Sequence, residues 1–495
     1  MLIAGLDIGT TGCKISVFKK TGELLGQVYS EYPVTRTHNE HEVDGGAIWE
    51  ATKQIIRQAA QRYGSIGGIG VTSFGEAFVM LDEADEPLHS AMLYTDPRGQ
   101  EECAALIEEL GADKIIGITG LNPHSMYSLP KLMWIKKHKP VIFARARRVC
   151  LMEDYIVYLL SGKAQIDYSL ASRTMAFDIH SLTWSKEILQ AAEIDIELLP
   201  VPVPAGTSAG KIRRALAFEL GVSEDAEIVS VSHDQVAAAI GSGVFDKSVA
   251  VDGAGTVECI TPVFSDLRSI GLMAQGNYSI VPYIIPGTYV CYAFSFTGGA
   301  LVKWFIDNLA GYAAQQAERK EISIYRELED NWRHTPTGLL VLPHFAGAAT
   351  PYMDAGSKGA IVGLTLANTQ HDIFLAIMEG VCYEMLLNIR QLEKAGITIQ
   401  RLHATGGGAK SRVWMQMKAD ILNVPITALR SVEAGATGSA MLVGIATGVF
   451  TDLNDAAKSM VIPKETFYPR KEIHDEYMKH YERYEKLYNA IRPLV

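Results

Sequence analysis

The sequence predicts a mixed α/β protein built from two similar halves that face each other across a cleft. Three observations lead there: an opening β-β-β-α-β order, a second copy of its first turn near mid-chain, and enough apolar residues for large cores. The chain has 495 residues, about three average domains or two large ones. Apolar residues make up 48% and charged residues 20%, far from the composition of disordered chains.

The first strand, Leu2 to Leu6, runs into the turn Asp7-Ile8-Gly9-Thr10-Thr11-Gly12, and Lys14 to Lys19 alternates with period two as a second strand. Thr21-Gly22 turns the chain into a third strand, Glu23 to Tyr29. Helical periodicity follows from Ala47 to Tyr63, and then the apolar strand Ile69-Gly70-Val71-Thr72. That order implies a mixed sheet. Strand Ile228 to Val231 delivers Ser232-His233-Asp234-Gln235 to the apolar start of a helix. At mid-chain, Ser248 to Val251 leads into Asp252-Gly253-Ala254-Gly255-Thr256, and Val257 to Ile260 resumes as a strand. Asp252 lies 245 residues after Asp7, close to half the length. The boundary is therefore expected near Phe245-Asp246-Lys247, giving domains 1–245 and 246–495. Ser269 to Val302 lacks charged residues, but Pro286-Gly287 makes it a core hairpin rather than a membrane span. Arg401 to Ala404 is a strand, Thr405 to Ala409 a glycine loop, and Ser411 to Leu422 an amphipathic helix ended by Pro425. A helix after Gly438 and a closing helix from Lys471 to Ile491 complete the chain.

The net charge of −11, without a Lys/Arg cluster, argues against nucleic acid or an anionic membrane as partner and points to a small molecule. Six cysteines without paired spacing suggest neither zinc nor disulfides, and the start of the chain has no signal-peptide pattern. Reduced thiols in the cytoplasm are the expectation.

Glycine-rich turns present backbone N–H groups to anions, and an adjacent carboxylate such as Asp7 suits Mg²⁺ held through water. Gly206 to Lys211 is one residue too short for a Walker loop and is followed by Ile212 instead of a hydroxyl, so a nucleotide site needs another design. Asp234 reads either as a helix N-cap or as a base that accepts the proton of an attacking alcohol. His233 reads first as a packed neighbour. Gly406-Gly407-Gly408, between strand and helix, serves equally as a tight turn or as a ligand approach.

Two longer stretches carry a family resemblance. Met126 to His138, MYSLPKLMWIKKH, and Gly359 to Leu364 with Asp372-Ile373 and Ala376 to Glu379, resemble the two signatures of the FGGY carbohydrate kinases. These belong to the actin-like ATPases and include xylulokinase and glycerol kinase. The resemblance spans roughly Leu2 to Gly448. It implies two ribonuclease-H-like domains flanking a catalytic cleft, sugar toward the first and ATP toward the second. Residue by residue, it implies Asp7 for Mg²⁺ and Thr10, Thr11 and Lys14 near the phosphates. Asp234 becomes the catalytic base, and Gly255 and Thr256 the second phosphate turn. Gly299, Gly407, Gly408 and Ala409 would line the nucleotide.

The acceptor side departs from both named relatives. Xylulokinases tend to carry Met-His where this chain has Gly75-Glu76, and glycerol kinases Arg-Glu, so Gly75 is expected to leave space and to remove a charge. Met126 stands where glycerol kinases place a tyrosine. Glu76, Gly75, Tyr94, Asp96, Met126 and Gln235 are therefore expected around the sugar. The function expected is ATP-dependent phosphorylation of a neutral ketose or polyol, a xylulose-like sugar first. A gluconate kinase, a glycerol kinase-like member and an actin-like ATPase without a sugar substrate are the alternatives, and a second copy of the chain is a candidate partner.

Overall fold

The computed structural model describes residues 1–330, 332–431 and 433–495. Two main sheets organise it, and they repeat one plan. In the first, Leu2–Ile8, Gly12–Lys19 and Leu24–Glu31 form an antiparallel meander. Ile66–Ser73 and then Glu227–His233 add in parallel on the other side of Leu2–Ile8, and Thr207–Lys211 closes that edge. In the second sheet Val249–Ala254 takes the place of Leu2–Ile8. Glu258–Phe264 pairs with it antiparallel, and Arg401–Thr405 and Ile426–Leu429 follow in parallel. Asp7 and Asp252 therefore ride on equivalent strands. The parallel strands read as near-continuous apolar runs, as strands covered on both faces must.

Helix Gly45–Tyr63 starts two residues ahead of the expected Ala47 because Asp44 caps it, its side chain accepting from the Ala47 N–H at 2.7 Å. The charge-free stretch contains the expected hairpin, Ile280–Pro282 against Tyr289–Cys291, with Gly287 at φ 73°. No helix among the described residues is long and apolar enough to cross a membrane. The closing helix is interrupted: Lys471–Tyr484 ends, and Leu487–Ile491 turns so that the Tyr488 hydroxyl donates to Asp354 at 2.9 Å and its ring stacks on Tyr352.

One helix departs from its expected start. It runs Ala434–Ala446, so Gly438 lies inside it. The reason is packing. This helix, from the second half of the chain, lies on strands Leu2–Ile8 and Ile66–Ser73 of the first sheet and crosses helix Asp234–Gly241. A Cβ at Gly241 would sit 1.9 Å from the Ala434 carbonyl oxygen, and one at Gly438 would sit 2.1 Å from that of Ala237. The two helices meet backbone to backbone.

The capping box Thr369/Asp372 starts the long helix Gln370–Lys394, which is buried along most of its length. In it Glu379 accepts from the Thr337 N–H and hydroxyl at 2.9 and 2.8 Å, yet burial pushes its carboxyl up to about 8. Burial raises Glu153 and Asp154 in the same direction. An acid raised by folding favours the folded chain fully below its unfolded value, and that contribution is lost as pH rises through the folded value. The unfolding midpoint is therefore expected to fall from pH 5 to pH 9, and Glu379→Gln to flatten that dependence between about pH 5 and pH 8. Equal slopes for the two proteins in thermal melts would refute this.

Candidate active site

The carboxyl ends of three parallel strands converge, the place where open α/β sheets bind ligands. Asp7 lies opposite Thr72, and His233 opposite Ser73, so the segments that leave these strands meet at one end of the sheet.

Just past the Ile66–Ser73 strand, Glu76 is buried at 5% exposure and adopts φ 68°, a left-handed conformation that a residue with a side chain occupies at a cost of about 1–3 kcal/mol. Its carboxylate accepts from Arg173 Nε at 2.6 Å and also from Nη2. The guanidinium lies between the rings of Tyr127 and Tyr292, 5.1 and 5.6 Å from their centroids, and its Nη1 is buried without a partner. This corrects the expectation for Gly75. A Cβ there would lie 3.0 Å from Arg173 Cγ and 3.2 Å from His233 Cδ2, so the missing side chain makes room for those two residues. The charge absent at position 75 is restored by position 173.

Asp96 is a second correction. One of its oxygens accepts from the Arg98 N–H and Nε at 3.0 and 2.8 Å, the other from the His41 N–H and Arg98 Nη2 at 2.8 and 2.6 Å. Both are spent on holding the loop, which Lys131 also ties by donating to the Asp96 carbonyl at 2.9 Å. Tyr94, on that loop, is exposed, and the Glu76 and Asp234 charges add to burial in raising its phenol. Met126 is half-buried against the core, and Gln235 is half-buried beside Asp234.

Asp234 is the first residue of its helix, and His233 occupies the N-cap position without a side-chain cap bond. The capping role considered for Asp234 is therefore absent. Its Oδ1 is buried with no hydrogen-bond partner, while the side chain as a whole is 36% exposed. Burial pushes its carboxyl up to about 7; the charges of Asp7 and Glu76 add to the rise, and the Gln235 N–H and Arg173 oppose it.

Toward the second sheet, burial raises Asp7 to about 6, with Lys14 lowering and Glu433 raising it. Lys14 is ion-paired with Glu433 at the start of helix Ala434–Ala446. The first turn closes through the Gly9 N–H donating to the Gly12 carbonyl at 2.9 Å, leaving Thr11 exposed. In the second, Gly299 N–H donates to the Gly255 carbonyl at 2.9 Å and Ala300 N–H to that of Thr256 at 3.0 Å. Gly406, at φ 90°, brings the glycine loop against it, since a Cβ there would lie 2.6 Å from the Ala254 carbonyl oxygen. Gly407 faces open space. Thus Gly255, Thr256, Gly299 and the loop Gly407 to Ala409 form one cradle.

The paired turns differ in chemistry. Asp252 Oδ2 accepts from the buried Lys418 ammonium at 2.7 Å, and Glu258 accepts from it as well. Burial raises Glu258 well above the usual carboxylate range, and the two acids hold Lys418 above its ordinary value despite its burial. Asp252 is a structural anchor where Asp7 is open.

Arg173, Tyr127, Tyr292 and Glu433 were not singled out by sequence reasoning. No spacing links position 173 to 76 or 292 to 233, and those contacts exist only after the sheets assemble.

Comparison with known proteins agrees with this architecture. Residues 2–241 match the N-terminal domain of the FGGY family of carbohydrate kinases, and residues 269–447 its C-terminal domain. The chain is 27% identical over 500 residues to a xylulose kinase of Staphylococcus epidermidis, covering 100% of this chain and 97% of that one. It is 30% identical to a glycerol kinase of Symbiobacterium thermophilum, with 93% of each chain covered. The crystal structure of a ligand-bound xylulose kinase from Lactobacillus acidophilus superposes with a TM-score of 0.89 at 24% identity, covering 99% of this chain and 98% of the other. The doubled sheet, the convergent strand ends and matches across both halves leave one assignment: the chain belongs to the FGGY family of carbohydrate kinases, phosphotransferases acting on an alcohol group, with the actin-like ATPase fold.

Proposed function

We propose that this kinase phosphorylates a hydroxyl of a neutral ketose, a xylulose-like sugar first, with ATP as donor and Asp234 as general base. The observation that carries the reading is Asp234 itself: just past the end of a central strand, with a side chain 36% exposed and a carboxyl raised into the working range of a base. Residues 1–245 contribute the acceptor pocket and residues 246–495 most of the nucleotide side, with helix Ala434–Ala446 shared between them.

The charges around the pocket favour a neutral acceptor. Glu76 and Arg173 cancel, leaving Asp7 and Asp234 to repel a carboxylate. The Gly75 cleft space no longer argues for size, since Arg173 and His233 fill it. The cradle residues Gly255, Thr256, Gly299 and Gly407 to Ala409 suit polyphosphate, because their backbones lie close and Gly407 faces open space, and Thr10 and Thr11 on the first turn would add donors. Asp7 suits a hydrated Mg²⁺: it is a hard oxygen ligand, and no group of three or more metal-ligating side chains occurs among the described residues, so water and phosphate would supply the rest. When bound, Mg-ATP supplies the phosphoryl group and offsets its charge. Lys14 would exchange its Glu433 partner for phosphate, Asp234 would take the proton from the acceptor hydroxyl, and the Arg173–Glu76 pair would orient the sugar.

ADP release across pentuloses, hexuloses, polyols and aldonates tests the reading. Ketopentoses are expected to give the highest kcat/KM. Gluconate turning over far better than every neutral sugar, or ATP hydrolysis indifferent to any sugar, would overturn it.

A further inference from the structure

His233 has one ring nitrogen in a hydrogen bond, and the other faces an oxygen that has no hydrogen-bond partner. Nδ1 lies 3.0 Å from the Tyr292 hydroxyl and Nε2 lies 3.3 Å from Asp234 Oδ1, and the imidazole and phenol rings are 5.4 Å apart. Burial, helped by the Arg173 charge, keeps the imidazole well below its ordinary pKa and hence neutral. A neutral imidazole has one N–H and one lone pair, so the partner at one nitrogen decides what the other presents. Tyr292 reaches His233 from the second sheet region, between strands Tyr289–Cys291 and Ala293–Ser295.

We propose that Tyr292 is a positioning residue for the base: its hydroxyl donates to His233 Nδ1, which keeps the proton on Nε2 and aims that N–H at Asp234 Oδ1. This rests on Asp234 being the base. Oδ1 has no hydrogen-bond partner in its buried position, Nε2 is the ring nitrogen 3.3 Å from it, and a carboxylate can only accept. With the proton on Nδ1 instead, a lone pair would face Oδ1 and hold Asp234 protonated, unable to take a proton from the acceptor. His233 itself exchanges no proton in this scheme; the acceptor's proton goes to Oδ2. The other titratable or charged groups that face the His233–Asp234 pair are Asp7, Glu76, Tyr94, Arg173 and Cys259. None of them offers a second partner for Nδ1. Because Tyr292 and Asp234 belong to different sheets, the base is readied only while the two sheets are apposed.

Tyr292→Phe removes the hydroxyl and keeps the ring over Arg173. In the full-length enzyme with its best neutral acceptor, the acid limb of kcat/KM is expected to move up by about one pH unit. That makes the loss about tenfold at pH 6 and small at pH 9, with KM for ATP unchanged. A loss that is uniform across pH, or a profile like wild type, would overturn the assignment. Independently of any variant, histidine-selective ¹⁵N NMR of the wild-type protein reads the tautomer: an Nε2–H signal for His233 is expected, and an Nδ1–H signal would overturn the proposal. Failure of the underlying reading looks different, since wild type would then release no ADP in response to any sugar.

Discussion

Asp234→Asn is expected to lower kcat by two to four powers of ten, on the order of what loss of a general base costs, while ADP affinity and the far-ultraviolet spectrum stay as in wild type. The substitution preserves shape and removes only the ability to accept a proton. The pH dependence gives a second handle. Asp234 must be ionised to act, and its folded-state value of about 7 means that wild-type kcat/KM rises with pH through that region before levelling. The residual activity of the variant should lack this limb. Binding of a cation at Asp7 would offset one of the charges that raise Asp234, so the limb should lie lower for the enzyme saturated with Mg-ATP than for the free enzyme. Turnover close to wild type in a folded, nucleotide-binding Asp234→Asn protein would remove this residue from the chemistry.

The second large effect concerns stability. Lys418 is fully enclosed and serves two acids, with the Trp414 ring 5.3 Å from its ammonium. Replacing it by methionine keeps the volume and leaves Asp252 and Glu258 buried without a counter-charge. Breaking a buried ion pair from one side typically costs about 3–5 kcal/mol. The sign of the pH dependence follows: without the lysine the Glu258 carboxyl is raised further, so the loss should be large at pH 8 and partly relieved at pH 5, where it takes up a proton. Urea denaturation at the two pH values reads this directly. A loss under about 1 kcal/mol, or one independent of pH, would mean that water already reaches the triad. The same variant should raise KM for ATP, since Asp252 sits on the strand that leads into Gly255 and Thr256.

Local patterns carried much of this molecule into view. The alternation around Asp7, the repeat at Asp252 and the glycine loop at Gly406 each encode a turn between strands, and a turn depends on few neighbours. The equivalence of the two sheets was legible for that reason, and so was the meeting of the Gly255 turn with the glycine loop. The cluster around Glu76 and Arg173 was not, because its members come from segments far apart in the chain. Gly75 looked like a missing charge and an open space; only the folded chain shows Arg173 entering that volume. Asp96 looked like a free carboxylate, and Arg98, two residues on, consumes it. Helix Ala434–Ala446 shows a third limit: chain order assigns it to the second half, whereas its small residues fit it to the first sheet.

The contact between that helix and Asp234–Gly241 has a consequence for anyone altering the protein. Glycine inside a helix is normally a weakness, and exchanging it for alanine gains up to about 1 kcal/mol. At Gly241 and Gly438 the exchange would drive a methyl group into a carbonyl oxygen of the facing helix, so the usual route to a sturdier helix would instead pry the two apart. Around that contact Val236 and Ile240 of one helix share a buried core with Met441, Leu442 and Val443 of the other, so separating the backbones would also open that core.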